Sequence, residues 1–77
     1  MNVELHQRFT RNLKNRRIEL GLTQRDVAER LSMSQPSYAQ IEAGRTSPSL
    51  KTVEKVELAL GCSPGQLLNR SENFAVA

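Results

Sequence analysis

The stretch "GLTQRDVAERLSMSQPSYAQIEAG", from Gly21 to Gly44, decides how this chain folds. Its apolar residues recur at helical spacing on both sides of a short joint, Ser32–Met33, so it predicts two amphipathic helices connected by a tight turn. The second helix begins with small and amide-bearing side chains that a helix buried in a core does not need. These are Ser34, Gln35, Ser37 and Gln40. Their position raises the question of which polar partner this helix start would meet.

Capping residues and glycines divide the rest of the chain into helices. Thr23, Ser34, Ser49 and Ser63 are typical N-caps, and Gly21, Gly44 and Gly61 are typical helix ends. The predicted helices run from about Val3 to Leu20, from the Thr23 cap to about Leu31, from Ser34 to Gly44, from Leu50 to Leu60, and briefly from Ser63, where Gln66 closes a capping box. The apolar stripe of the first helix is Leu5, Phe9, Leu13, Arg17 and Leu20, and that of the fourth is Leu50, Val53, Val56 and Leu60. The pattern predicts an all-α, compact five-helix bundle over residues 1–69 with a C-terminal tail at 70–77.

The composition is that of one ordinary globular domain. The chain has 77 residues, of which 38% are hydrophobic and 25% charged. The single cysteine, Cys62, has no partner for an internal disulfide, which favours a reducing compartment. No apolar run approaches the roughly 20 residues that span a bilayer, and no signal-peptide stretch is visible. We therefore expect a cytoplasmic protein with no membrane association.

The inventory of reactive side chains argues against an enzyme. His6 is the only histidine and Cys62 the only cysteine, whereas metal sites and nucleophile–base pairs normally need more. The glycines stand at helix ends and starts, so none belongs to a phosphate-binding loop. We expect no catalytic residue, no metal and no cofactor. His6 is predicted to be a surface residue, and Cys62 a small buried one.

Positive charge is concentrated at the start of the chain. The net charge is +3, and residues 1–20 carry five basic residues against two acidic ones, while the remainder is balanced. Such a segment suits a partner with fixed negative charge, but it also suits a solvated face that keeps the protein in solution. Charge alone leaves both interpretations open.

A helix-turn-helix would account for the polar start of the third helix. In that motif the second helix lies in the DNA major groove, and its N-terminal residues reach base edges. Amides such as Gln35 and Gln40 can donate and accept together, as the edge of adenine requires. Ser34 and Ser37 are short enough to let the backbone approach phosphate or base.

Five motifs in order carry a resemblance to a known family. They are "GLTQ" at 21–24, Ala28, "IEAG" at 41–44, "PSLKT" at 48–52 and "ALG" at 59–61. Over roughly residues 9–69 the chain resembles the phage-repressor and Cro type of helix-turn-helix, the XRE family. The resemblance implies a five-helix DNA-binding domain without enzymatic activity.

The resemblance also implies roles for individual residues. Base contacts are expected from Gln35, Pro36, Ser37 and Gln40, where Pro36 can offer only apolar contact. Phosphate contacts are expected from Gln24, Ser34, Arg45, Thr46 and Ser47. Arg17 lies on an apolar stripe, where a lone guanidinium would be expensive, and Glu42 is its expected partner in a structural ion pair. Relatives commonly have glycine where Ser32 stands, so a positive φ at Ser32 would cost roughly 1 kcal/mol.

These features predict a sequence-specific DNA-binding transcriptional regulator, a repressor, that binds a palindromic operator as a homodimer. Half-sites would lie about 34 Å apart, and regulation would act by blocking or contacting RNA polymerase. Two alternatives are also DNA-binding proteins: an antitoxin that also binds a toxin protein, and a restriction–modification controller protein. A third is a protein-interaction module that has lost DNA binding, against which Arg45 and the amides of the third helix argue.

Overall fold

Four α-helices and a terminal 3-10 helix make up residues 3–63 and 65–68, the part of the chain that the computed structural model describes. They are α1 (Val3–Glu19), α2 (Gln24–Arg30), α3 (Gln35–Glu42), α4 (Leu50–Ala59) and the 3-10 helix Gln66–Leu68. These residues contain no β-strand, which confirms the all-α prediction. None of these helices is long and apolar enough to cross a bilayer. The predicted limit between a domain at 1–69 and a tail at 70–77 falls outside the described residues.

The predicted N-caps of α2, α3 and α4 are confirmed. Thr23 forms a capping box with Asp26, in which each side chain accepts a hydrogen bond from the other residue's backbone N–H. Ser34 Oγ accepts from the backbone N–H of Ser37, and Ser49 Oγ accepts from that of Thr52, both at 3.2 Å. Each cap satisfies a donor that the first helical turn leaves without an intrahelical partner. The sequence therefore defines where these three helices begin.

The predicted fifth helix is not an α-helix. Gly65, which would be inside its first turn, has a φ of +81°, a left-handed conformation that an α-helix starting at Ser63 cannot contain. The chain instead turns through two bonds between residues three apart, from Gln66 N to Ser63 O and from Leu68 N to Gly65 O. The expected capping contact does form, because Gln66 Oε1 accepts from the backbone N–H of Ser63 at 2.8 Å. The bundle thus closes with a single tight turn.

Side chains from all five elements build the core. The largest fully buried ones are Phe9, Leu13, Val27, Tyr38, Val56 and Leu60. The 3-10 helix adds Leu67, which is 2% exposed. The prediction that Leu20 and Leu50 face inward is wrong, because they are 40% and 82% exposed. Leu20 follows the end of α1, where the chain leaves the helical path, and Leu50 is the first residue of α4.

Two buried polar side chains hold the 3-10 helix against the bundle. Asn12 Nδ2 donates to the carbonyl of Leu67 at 2.8 Å, and Glu57 Oε2 accepts from the N–H of the same residue at 3.2 Å. Asn12 and Glu57 are only 8% and 4% exposed. Because an unsatisfied backbone group is costly in a core, these two side chains make burial of Leu67 possible. Neither was predicted, because both are polar. By spacing each lies on the buried face of its helix, Asn12 three residues after Phe9 and Glu57 four residues after Val53.

Candidate nucleic-acid interface

The turn between α2 and α3 sets the angle at which α3 leaves the bundle. After α2 ends, Ser32 takes a φ of +56°, and the N–H of Met33 bonds back to the carbonyl of Ala28 at 3.0 Å. This is the left-handed conformation that glycine adopts most easily, so serine carries a strain of roughly 1 kcal/mol. Only the four residues from Leu31 to Ser34 connect α2 to α3. The exposed start of α3 therefore follows directly on a strained turn.

A buried ion pair lies beneath this surface and joins α1 to the end of α3. Arg17 Nε donates to Glu42 Oε2 at 2.8 Å, and Arg17 Nη2 donates to Glu42 Oε1 at 2.9 Å. The third nitrogen of Arg17, Nη1, donates to the carbonyl of Leu22 at 2.8 Å. Glu42 is only 8% exposed, and it also accepts from the hydroxyl of Tyr38 at 2.7 Å. This two-pronged geometry satisfies both charged groups away from water.

The contacts fix the charge of each group in this cluster. Burial by itself raises the pKa of Glu42, but hydrogen bonds from Arg17, Tyr38 and Gln24 outweigh it and hold that pKa below its ordinary value. The hydrogen bond to Glu42 raises the pKa of Arg17. Burial, followed by the bond to Glu42, strongly raises the pKa of Tyr38. At neutral pH the cluster therefore contains one carboxylate, one guanidinium and one neutral phenol.

Two glutamine amides extend this cluster to the surface. Gln24 Nε2 donates to Glu42 Oε1 at 3.3 Å, and Gln35 Nε2 donates to Gln24 Oε1 at 2.9 Å. A carboxylate accepts only, so Gln24 must turn its NH₂ group toward Glu42 and its oxygen toward Gln35. This in turn directs the NH₂ group of Gln35 toward Gln24. Gln35 is thus left with its oxygen and one further N–H for a partner outside the protein.

The other polar residues at the start of α3 line its outer face. Pro36, Ser37 and Gln40 are exposed, while Gln35 is half-buried because of its contact with Gln24. Ser34 Oγ donates to Ser37 Oγ at 2.8 Å, so the two hydroxyls form one polar unit at the helix start. The four predicted base-contact residues therefore lie within the first two turns of α3.

The loop between α3 and α4 continues this surface. Arg45, Thr46 and Ser47 are all exposed, and the N–H of Arg45 bonds to the carbonyl of Gln40 at 3.0 Å. This bond closes the C-terminal end of α3. Gln24 is the first residue of α2, and its side chain accepts a hydrogen bond from Gln35 at the start of α3. The predicted base contacts thus lie at the start of α3, and the predicted phosphate contacts lie at the start of α2, at the N-cap of α3 and in the loop that follows α3.

A sequence profile described as "Helix-turn-helix" matches residues 13–67 of the chain, which include this whole unit. The chain belongs to the helix-turn-helix family. This confirms the resemblance to the phage-repressor type that the motifs between Gly21 and Gly61 suggested.

Several relatives of this helix-turn-helix protein are transcriptional regulators. An uncharacterized HTH-type transcriptional regulator of Methanothermobacter thermautotrophicus is 41% identical over 64% of this chain and 71% of the relative. YqaE, an uncharacterized HTH-type transcriptional regulator of Bacillus subtilis, is 34% identical over 88% of this chain. The cryptic phage CTXphi transcriptional repressor RstR of Vibrio cholerae is 33% identical over 83% of this chain. The matches span 59% of YqaE and 58% of RstR. No solved structure matches the chain.

Three of the five basic side chains of α1 form ion pairs inside this helix-turn-helix domain. Arg8 pairs with Glu4, and Arg16 pairs with Glu19 while donating to the carbonyl of Leu60 at 3.0 Å. Arg17 faces the buried cluster. Arg11 and Lys14 are the exposed cations of α1. The charge count of residues 1–20 therefore overstates how much positive charge this helix offers to a partner.

A hydrogen bond from α1 to the loop after α3 was not predicted. The ring of His6, on α1, donates through Nε2 to the carbonyl of Thr46 at 3.2 Å. His6 precedes Phe9 by three residues, so it lies at the edge of the buried stripe of α1, and this spacing was the available signal. The described residues contain no group of three or more His, Cys, Asp or Glu side chains that could hold a metal ion.

Proposed function

We propose that this chain is a sequence-specific DNA-binding transcriptional regulator, a repressor, that reads an operator through the start of α3. The observation that carries the proposal is the oriented amide of Gln35. Its NH₂ group is held by Gln24, which is held by Glu42, so its oxygen and one N–H are directed before any ligand arrives. A glutamine that donates and accepts side by side matches the N6 and N7 positions of adenine in the major groove.

The exposed groups around Gln35 suit contacts to neighbouring bases and to the phosphate backbone of a duplex. Ser37 and Gln40 can contact neighbouring bases, and Pro36 offers an apolar surface to a thymine methyl group. Ser34 lies at the helix N-terminus, where an anion is favoured. Arg45, Thr46 and Ser47 would contact the phosphate backbone, as loop cations and hydroxyls commonly do. Gln24 would contact a phosphate through its backbone N–H, because its side chain is engaged by Gln35 and Glu42.

A single module of this size buries only about 600–1,000 Å² of protein surface against DNA, which limits its specificity. We therefore propose that two copies bind a palindrome with half-sites about 34 Å apart. The outer face of α4 is the surface we propose for the second copy. Leu50 and Leu58 are 82% and 72% exposed, and Glu54 lies midway between them, flanked by Lys51 and Lys55. Antiparallel pairing about Glu54 would bring each Leu50 to the partner's Leu58. The two Glu54 carboxylates would meet at the axis, where the adjacent Lys51 and Lys55 of both copies could offset their repulsion.

Selection of bound duplexes from a random pool, followed by a salt titration, tests the function. We expect one enriched palindromic sequence and an affinity that falls steeply as salt rises, because phosphate contacts release counterions. If no duplex is enriched and binding shows no salt dependence, the chain is an interaction module and the proposal fails.

Sedimentation in the absence of DNA tests the dimer surface separately. Leu58→Lys should weaken self-association, whereas Ile18→Lys, a matched change at another exposed apolar residue (56% exposed), should not. Equal sedimentation of the two variants would reject the α4 surface without affecting the assignment of the DNA-binding residues.

A further inference from the structure

We infer that His6 is a positioning residue, which orients the backbone of the loop at residues 45–47 so that it can bind a DNA phosphate. This inference rests on the proposed function. Neither the family motifs nor the apolar pattern of α1 assigns His6 a role. What assigns it is a hydrogen bond between elements 40 residues apart, from His6 Nε2 to the carbonyl of Thr46 at 3.2 Å.

The first part of α1 lies along the beginning of this loop. A side chain at Gly44 would meet Cγ2 of Thr10 at 3.8 Å, so Thr10 faces the chain just before Arg45. His6 and Thr10 are four residues apart and share one face of α1. The loop is therefore bordered by α1 over one helical turn, and His6 is the residue of that turn that bonds to its backbone.

This hydrogen bond fixes the orientation of a peptide group. The described chain contains no cis peptide bond, so the carbonyl of Thr46 and the N–H of Ser47 point in opposite directions. Because the carbonyl is directed toward His6 on α1, the N–H of Ser47 is directed away from α1. Ser47 is an exposed residue, and its N–H forms no hydrogen bond within the part of the chain that the structure describes. It can therefore serve a ligand outside the protein.

The group that this N–H suits is a phosphodiester oxygen. Backbone N–H groups are frequent phosphate donors in protein–DNA complexes, and they position the protein without reading sequence. Arg45 and the hydroxyls of Thr46 and Ser47 surround the same short segment. His6 would thus strengthen binding to any duplex equally, and it would act through the loop without touching a base.

Affinity measurements on three variants of the full chain test this role. The variants are His6→Ala, His6→Gln and the control Gln7→Ala, which changes an exposed neighbour on α1. The probes are a duplex selected from a random pool and a duplex of equal length and unrelated sequence. His6→Ala should weaken binding to both duplexes by the same factor, roughly threefold to tenfold, as expected for one net hydrogen bond. His6→Gln, whose amide can replace the Nε2 donor, should restore the affinity.

Two further measurements distinguish positioning from a general structural effect. In a double-mutant cycle with Arg45→Ala, loss of His6 should have a smaller effect than in the wild-type chain, because both residues act through one loop. In NMR spectra of the wild-type chain, the Ser47 amide resonance should shift when the selected duplex is added.

The outcomes separate this inference from the proposed function. Equal affinity of His6→Ala and Gln7→Ala, a loss confined to the selected duplex, or an unmoved Ser47 resonance would overturn the role of His6 while leaving DNA binding intact. If the wild-type chain binds neither duplex in a salt-dependent way, the proposed function fails and the role of His6 fails with it.

Discussion

The two parts of the proposed DNA interface, the start of α3 and the loop that follows it, are held in different ways. The amide of Gln35 is linked through Gln24 to a buried ion pair in which Glu42 is 8% exposed. The loop at residues 45–47 is exposed throughout and is joined to α1 by the bond from His6. One part is thus supported from the core, and the other is supported at the surface.

This difference matches what each part has to recognise. A base edge presents a donor and an acceptor at fixed positions, so an amide that rotates freely would lose discrimination. A phosphate is a charged group with several equivalent oxygens, and a cation or an N–H can meet it in more than one geometry. The buried ion pair of Arg17 and Glu42 supports the residues that would specify sequence. A single hydrogen bond from His6 supports the residues that would supply affinity.

The largest effect should come from removing the core support. Arg17→Ala leaves the carboxylate of Glu42 buried without its cation, and we expect a loss of about 3–5 kcal/mol in the free energy of unfolding. Arg16→Ala is the matched control, since Arg16 pairs at the surface with Glu19, which is 68% exposed. Urea unfolding of both variants measures the difference. Equal losses would show that the ion pair does not support the interface.

Lowering the pH should also weaken the ion pair of Arg17 and Glu42, and it should destabilise the fold by less than Arg17→Ala does. The pKa of Glu42 is lower in the folded chain than in the unfolded chain. Its stabilising contribution is therefore complete above the ordinary carboxyl pKa of about 4.3 and is lost as the pH falls through the lower, folded value. Melting temperatures measured from pH 6 downward should fall less steeply for Glu42→Gln than for the wild type. Parallel curves would contradict this assignment.

Removal of the outermost amide should affect specificity and leave stability nearly unchanged. Gln35→Ala should reduce discrimination at one or two base pairs by about 1–3 kcal/mol. Competition between the selected duplex and its single-base variants measures this loss. A uniform loss of affinity for every duplex would instead place Gln35 among the phosphate contacts.

Removal of the positive charge from the loop should lower affinity and leave base preference unchanged. Arg45→Ala should weaken binding to all duplexes alike and reduce the slope of log affinity against log salt by about 1. Gln35→Ala provides the comparison, because it should leave that slope unchanged. If Arg45→Ala changed base preference while the slope stayed the same, Arg45 would contact bases, and its assignment as a phosphate contact would be wrong.

The smallest effect should come from the turn that joins the two helices. Ser32 has a φ of +56°, so Ser32→Gly should stabilise the fold by roughly 1 kcal/mol, while Ser32→Ala should not. Thermal unfolding measures the gain. DNA affinity should remain the same, since the geometry of the turn is kept. A destabilised glycine variant would show that the serine side chain has another role.

Much of the candidate site could be predicted from the sequence, because its residues belong to short motifs with a fixed order. Gln24, Gln35 and Arg45 were assigned from such motifs, and Arg17 and Glu42 were paired because a cation on an apolar stripe requires a carboxylate. The hydrogen bond from the Gln35 amide to the Gln24 amide and the hydrogen bond from His6 to the carbonyl of Thr46 were not predicted. Each joins side chains whose separation depends on how whole helices pack, and no local pattern carries that information.

By itself the sequence determined where the four α-helices of this protein begin and end, because caps and left-handed glycines act on backbone groups only a few residues away. Thr23, Ser34 and Ser49 begin the helices that they were expected to begin. Only the tertiary structure decided that Gly65 turns the last segment into a 3-10 helix and that Glu57 is buried while Leu50 is exposed. Those outcomes depend on which surfaces remain available after the helices have packed, and hydrogen bonds from distant residues then determine which polar groups can be buried.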